Sequence, residues 1–118
     1  MTDELALTLP WPPTVNHYWG QHGKRRYVAK AGMEFRAAVR LVVLQTCGGV
    51  LLTGRLSVVI VACPPDRRAR DLDNLFKASL DALQHAGVYE SDSQIDSLTI
   101  SRGDVCVGGA LIVRIWEQ

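Results

Sequence analysis

The sequence predicts a small α+β domain in which two helices pack on one mixed β-sheet. Four segments have the apolar patterns typical of strands, and two proline-free segments have the length and apolar content of helices. Their order along the chain is β-α-β-α-β-β. With 118 residues and 47% hydrophobic content, the chain is long enough to form one ordinary core. We therefore expect a single domain over residues 1–118.

The N-terminal half begins with a strand and continues through a long connection into a helix. Glu4 to Leu9 alternates apolar and polar residues, as a half-buried strand does, and a proline-rich turn ends it. Thr14 to Lys30 is predicted to be a long loop, and a loop of that length in so small a domain is more often functional than not. Ala31 to Cys47 has no proline and is apolar over much of its girth, which predicts a well-buried helix ending at Gly48-Gly49.

The C-terminal half contains the other helix and three strands. Arg55 to Cys63 is a continuous run rich in β-branched residues and predicts an interior strand. Asp73 to His85 repeats large apolar residues at helical spacing, which predicts the second helix. Ser97 to Ser101 and Ala110 to Trp116 predict two closing strands, which complete the sheet.

Composition excludes several classes of protein. The longest unbroken apolar stretch is the six residues from Val58 to Cys63, whereas a membrane-spanning helix needs about 20. The three cysteines are widely spaced and contain no CxxC pair, which argues against a zinc ribbon and against a secreted disulfide scaffold. We expect a cytoplasmic protein.

The net charge of +1 conceals an uneven distribution. Residues 1–23 carry a net charge of −2, residues 24–77 of +7, and residues 78–118 of −4. A basic middle flanked by acidic ends favours a local positive face, which suits an anionic partner. The alternative is a solvated surface whose charges pair with one another in the fold.

Two aspartates stand where the predicted interior strand gives way to the second helix. Asp71 and Asp73 are two residues apart, so in an extended approach to the helix their carboxylates point the same way. Two such carboxylates suit a hard divalent cation such as Mg²⁺. The alternative for Asp73 is a helix cap, because Asp is favoured at that position.

Cations crowd the same segment. Arg67, Arg68 and Arg70 precede the helix, and Lys77 follows Asp73 by four residues on the same helical face. Lys77 could instead form an ordinary ion pair with Asp73 or Asp81. Carboxylates for a metal beside cations for a phosphate are typical of phosphoryl transfer.

A third carboxylate would help to complete a metal site. Asp81 is two helical turns beyond Asp73 and too far along the axis to share an ion with it. Glu90 and Asp92 fall in the turn after the helix. The residues themselves do not separate these two candidates.

These motifs resemble those of the RusA-type Holliday junction resolvases, a family of endodeoxyribonucleases, over nearly the whole chain. The similarity lies in Leu7 to Pro13 with Asn16 and Tyr18, Pro65 to Arg68, Arg70 to Leu75, Lys77-Ala78, Asp81 to Leu83, Ala86-Gly87, and Asp92 to Gln94. The resemblance implies a small α+β subunit that works as a homodimer on four-way DNA junctions. Such a dimer would supply two symmetric active sites for two symmetric nicks.

The resemblance also implies roles for individual residues. It implies that Asp71, Asp73 and Asp92 bind Mg²⁺, for which Mn²⁺ is a possible substitute, and that Lys77 is essential for catalysis. No membrane and no small-molecule cofactor are expected. The cations expected to hold DNA phosphates are Arg67, Arg68 and Arg70 together with Lys24, Arg25 and Arg26.

Two other functions are compatible with the same residues. One is a non-catalytic nucleic-acid-binding module in which the two aspartates only cap a helix and balance the arginines. The other is a related nuclease that acts on other branched DNA. Trp19 or Tyr27 could also stack on a splayed base, although an aromatic in a loop is more often part of the core.

Overall fold

The computed structural model describes residues 4–49 and 51–118. Its elements follow one another as β1 Glu4–Pro10, α1 Val15–Tyr18, β2 Trp19–His22, β3 Arg25–Val28, α2 Lys30–Cys47, β4 Leu56–Cys63, α3 Asn74–His85, β5 Ile95–Arg102 and β6 Ala110–Glu117. A short 3₁₀ turn, Asp92–Gln94, precedes β5. No helix among these residues combines the length and the apolar character needed to cross a membrane.

The predicted α+β architecture with a mixed sheet is confirmed. Four strands form one sheet in the order β1-β6-β4-β5. β4 runs parallel to β5 and antiparallel to β6, which in turn runs antiparallel to β1. The parallel pair requires a crossover, and α3 supplies it. The β4–α3–β5 unit therefore carries the two segments that flank α3, and these hold most of the predicted site.

The core lies on one face of this sheet. Alternate side chains of the strands are buried there, including Leu7, Ile60 and Val113, while Ile112 on the other face is 43% exposed. α2 packs against β1 and α3 and buries Phe35 and Val39 in the core. The expectation that α2 is buried over much of its girth is wrong. The side chains of Met33, Leu41 and Leu44 are instead more than half exposed.

The predicted long loop from Thr14 to Lys30 is also wrong. This segment contains α1, the β2–β3 hairpin and a turn in which Gly23 adopts a φ of +61°. Tyr18 at the end of α1 is fully buried. The hairpin strands are only four residues long and largely polar, so alternation could not reveal them. The other predicted elements are confirmed with shifts of one or two residues at their ends.

Candidate active site

The loop between β4 and α3 is held together by its own charges. The Asp66 carboxylate accepts a hydrogen bond from the Arg68 backbone N–H at 2.9 Å and pairs with the Arg70 guanidinium at 2.8 Å. These partners, the Arg70 guanidinium first, hold the pKa of Asp66 well below its usual range. Arg70 also donates to the carbonyls of Asp66 and Arg68, and Arg102 of β5 donates to the Arg70 carbonyl.

The three predicted DNA-binding arginines of this loop differ in their surroundings. The Arg70 side chain is only 21% exposed, and its guanidinium lies 5.7 Å from the Trp11 ring centroid. Arg68 is 82% exposed and makes one long contact with Asp66, at 3.4 Å. Arg67 is exposed and pairs with no carboxylate of the described residues. Arg70 thus organises the loop, whereas Arg67 and Arg68 present their charge to solvent.

Asp71 and Asp73 emerge from this loop at the start of α3. Asp73 occupies the N-cap position, yet its backbone is helical, with φ −63° and ψ −26°, and its side chain makes no capping hydrogen bond. The capping alternative for Asp73 therefore has no support. Both carboxylates are exposed, and neither pairs with a cation in the part of the chain that the structure describes. Asp71 lines a depression of about 330 Å³ together with Trp11, Arg70 and Asn74.

Lys77 and Asp92 meet at a second depression of about 270 Å³, which we call the hairpin depression because it lies between α3 and the β2–β3 hairpin. Its polar lining consists of Arg26, Lys77, Asp81, Gln84 and Asp92, and its apolar lining of Trp19, Phe76 and Leu80. Lys77 is exposed and forms no ion pair with any described residue. The alternative that Lys77 pairs with Asp73 or Asp81 is therefore not observed.

Asp81 leaves Lys77 unpaired because it has other partners. Arg36 of α2 binds the Asp81 carboxylate through Nη2 at 2.8 Å and Nε at 2.9 Å, and the Tyr18 hydroxyl donates to the same oxygen. Burial and then the hydrogen bond to Asp81 raise the pKa of Tyr18, so its hydroxyl keeps its proton. Sequence reasoning missed this cluster. The sequence offers no clear signal for it, because α2 contains both Arg36 and the exposed Arg40, and only the packing of α2 on α3 distinguishes them.

The turn that carries Asp92 is fixed by Gln94. The Gln94 side chain accepts from the backbone N–H groups of Glu90 and Ser91 and donates to the carbonyls of Leu52 and Gly54. Ser91 and Gln94 together form a capping box around the 3₁₀ turn. The aspartate-x-glutamine motif thus combines Gln94, whose side chain fixes the turn, with Asp92, whose carboxylate is exposed.

The three predicted metal ligands do not form one cluster within the described chain. Among residues 4–49 and 51–118, no three His, Cys, Asp or Glu side chains are grouped closely enough to hold a metal ion. Asp71 and Asp92 line different depressions, the first at the start of α3 beside Asn74 and the second along the helix from Phe76 to Gln84. Carboxylate oxygens are nevertheless the donors that a hard divalent cation prefers. The site formed by Asp71, Asp73 and Asp92 stays a prediction.

The predicted cation cluster Lys24, Arg25 and Arg26 lies at the hairpin tip, where none of the three pairs with a described carboxylate. Hairpin register places Arg26 on the same face as Trp19, and Arg25 on the opposite face with Tyr27. The Arg26 guanidinium stacks 4.5 Å from the Trp19 ring centroid. The Tyr27 ring packs so closely over Gly20 that a Cβ there would overlap it.

Exposed carboxylates beside unpaired cations, at the end of a central strand and along the helix that follows, are typical of proteins that act on phosphate esters with a metal. Comparison with known proteins defines the class further. Residues 10–115 match the family described as endodeoxyribonuclease RusA. The chain therefore belongs to this family.

Several relatives align over almost their full length. The chain is 37% identical over 115 residues to the crossover junction endodeoxyribonuclease rusA of Enterobacteria phage HK97, covering 98% of this chain and 96% of that protein. It is 36% identical over 113 residues to the crossover junction endodeoxyribonuclease RusA of Escherichia coli K12, covering 96% and 94%. The enzyme of the same name from Enterobacteria phage 82 is 36% identical over 112 residues, with coverage of 95% and 93%.

Proposed function

We propose that this chain is a crossover junction endodeoxyribonuclease that resolves Holliday junctions by paired, symmetric, Mg²⁺-dependent hydrolysis during DNA recombination and repair. Its place of action would be the cytoplasm, where bacterial DNA lies. The observation that carries the proposal is the match of residues 10–115 to the family, with both motif-bearing segments of the β4–α3–β5 unit inside the match. Lys77 and the three aspartates are exposed and unpaired among the described residues, so all four are accessible to a ligand.

Asp71, Asp73 and Asp92 are the residues that would hold the metal. Their oxygen donors suit Mg²⁺, and Mn²⁺ would be a functional substitute. When bound, the ion would supply an activated water and stabilise the leaving oxygen. Two features of the fold support the proposal: Asp71 and Asp73 lead directly into α3, and Gln94 fixes the turn that carries Asp92.

Lys77 would neutralise charge that develops on the scissile phosphate. A lysine ammonium meets the least competition in this role when no carboxylate of the protein already binds it. Arg36 and Tyr18 satisfy that condition, because they engage Asp81, the carboxylate one helical turn beyond Lys77. Arg67 and Arg68, with Lys24 and Arg25, would hold backbone phosphates away from the cleaved bond, giving a binding constant that weakens with salt.

A homodimer would match the approximate two-fold symmetry of a four-way junction. The sheet face opposite the helices offers a candidate interface, because Val59 and Val61 are only half-buried there and Ile112 is 43% exposed. If this face is the interface, Ile112→Glu would convert a dimer to a monomer in analytical ultracentrifugation. An unchanged dimer would exclude this face.

Cleavage of a synthetic four-way junction tests the proposed function. Wild-type protein with Mg²⁺ should introduce paired nicks on opposing strands of the four-way form, and should leave three-way and linear DNA of the same sequence largely intact. Asp73→Asn should abolish cleavage and retain binding. Asp104→Asn is a matched control, because Asp104 is an exposed aspartate outside the proposed site.

The alternatives predict different results. A non-catalytic binding module would bind the junction but cleave nothing, and removing Asp71 or Asp73 would tighten its binding. A nuclease for other branched DNA would cut three-way forms at least as fast as four-way forms. Asp73→Asn cleaving at the wild-type rate would show that the metal assignment is wrong.

A further inference from the structure

We propose that Arg26 is a second phosphate-binding catalytic residue, placed by Trp19 beside Lys77 in the hairpin depression. This inference rests on the proposed function, because it assigns Arg26 to the phosphate that is cleaved. It separates Arg26 from Lys24 and Arg25, which the sequence presents as one basic cluster.

The Arg26 side chain lies on the face of the hairpin that lines the depression. In the β2–β3 register Gln21 pairs with Arg26 and Trp19 pairs with Val28, so these four residues share one face of the hairpin. That face turns toward α3, and Arg26 lines the same depression as Lys77 and Asp92. Arg25 alternates to the other face, away from the depression.

Arg26 is also pre-positioned by a stacking contact. Its guanidinium lies 4.5 Å from the Trp19 centroid, a distance at which a cation is attracted to the face of an indole ring. Trp19 is in turn held by the ring of the fully buried Tyr18, with centroids 4.1 Å apart. A flexible cation would lose side-chain entropy on binding a phosphate, and stacking reduces this loss.

The balance of charge in the depression favours an anionic ligand. Asp81 is neutralised by Arg36, so the unpaired groups in the lining are Lys77, Arg26 and one carboxylate, Asp92. Two cations around a single site suit a phosphodiester, whose negative charge increases during in-line attack. A planar guanidinium can bind two phosphate oxygens at once, whereas Lys77 acts as a point charge.

The test separates chemistry from binding. Two quantities should be compared for Arg26→Met and Arg25→Met. One is the single-turnover rate of cleavage of a four-way junction with Mg²⁺, and the other is the junction Kd measured without added metal. For Arg26→Met we expect the rate to fall about 100-fold while Kd rises less than about fivefold. For Arg25→Met we expect the larger effect on Kd, with a smaller dependence of Kd on salt. Arg40→Met, which removes an exposed cation of α2, should change neither quantity appreciably.

The positioning role of Trp19 has its own readout. Trp19→Phe keeps an aromatic face and should retain most of the rate, whereas Trp19→Leu should lose about as much rate as Arg26→Met does. The melting temperatures of the two Trp19 variants should be compared, since a merely structural role would make rate loss follow stability loss. Arg26→Met acting only on Kd, or Trp19→Leu leaving the rate unchanged, would overturn the assignment.

A binding measurement decides the inference even if no junction is cleaved. Thymidine 3′,5′-bisphosphate, a small phosphate-bearing probe, should shift the Arg26 Nε–H NMR signal in wild-type protein, and Arg26→Met should weaken its binding at least about tenfold. No shift at Arg26 would overturn the phosphate assignment. Probe binding at Arg26 without junction cleavage would instead mean that the proposed function fails while the phosphate site stands.

Discussion

The loop from Asp66 to Arg70 and the hairpin depression both carry dense charge, but they use it in opposite ways. In the loop, Asp66 is bound by the Arg70 guanidinium and by the Arg68 N–H, and Arg70 is also bound to two carbonyls. In the depression, Lys77, Arg26 and Asp92 form no ion pair with any described residue. Paired charges such as Asp66 and Arg70 stabilise the loop, whereas charges that the fold leaves unpaired, such as Lys77 and Arg26, are available to a ligand.

The largest effect should come from Lys77→Met. Because Lys77 is exposed and unpaired among the described residues, its removal should leave the free energy of unfolding within about 0.5 kcal/mol of wild type. The single-turnover rate of junction cleavage should fall about 1,000-fold, since the ammonium acts on charge that develops in the transition state. Urea denaturation and junction cleavage check the two parts. A large loss of stability would place Lys77 among the structural charges.

Arg36→Met should remove the ion pair that holds the Asp81 carboxylate, and so leave a structural charge unpaired. The variant leaves the half-buried Asp81 carboxylate and the Tyr18 hydroxyl without their cation, at a cost of about 2 kcal/mol in stability. Asp81 should then capture Lys77, one helical turn away, and lower the cleavage rate about 10-fold.

The double variant Arg36→Met with Asp81→Asn separates these effects, because it removes the competing carboxylate. Its cleavage rate should recover relative to Arg36→Met, even if its stability does not. A double variant as slow as Arg36→Met would show that Asp81 does not compete for Lys77.

Arg70→Ala should affect the loop more than the DNA contact. It removes the main partner of Asp66 and the contact with Trp11, so stability should fall by about 1 kcal/mol and cleavage should slow as Asp71 loses its support. Arg67→Ala, the matched control, should leave stability unchanged and reduce the slope of log Kd against log salt by about 0.9. If Arg70→Ala reduced the salt slope as much as Arg67→Ala and left the stability unchanged, Arg70 would be a DNA contact and not a structural residue of the loop.

The smallest effect should be the pH dependence that Asp66 confers. Arg70 and Arg68 hold the pKa of this carboxyl below its usual range, so its folded-state pKa is lower than its unfolded one. Its stabilisation is therefore present above about pH 4 and is lost as pH falls through the folded-state pKa. The stability difference between wild type and Asp66→Asn should shrink as pH falls from about 6 to about 2.5 in urea titrations. A difference independent of pH would contradict the ion pair.

Apolar pattern and composition predicted the elements that are long, and they failed where the elements are short. β4 follows from its continuous run of β-branched residues, α2 from a long proline-free apolar segment, and α3 from large apolar residues at helical spacing. The β2–β3 hairpin escaped because its strands are four residues long and are held by a turn at Gly23 and by the contact of Tyr27 with Gly20. The apolar content of α2 also overstated its burial, since composition alone does not tell which face meets the sheet.

The candidate site divides in the same way. The sequence alone determined that Asp71, Asp73 and Lys77 lie around one helix start, because their spacing is local, and the Asp92 motif was recognisable from its similarity to the family. Only the tertiary structure decided which charges are paired. The packing pairs Arg36 of α2 with Asp81 of α3, and it directs the Arg70 guanidinium to Asp66 in its own loop. It also stacks Arg26 on Trp19 and places it in the same depression as Lys77. The physical reason is that an ion pair or a stacking contact depends on distances of a few ångströms in space, and these are set by how the helices and the hairpin pack.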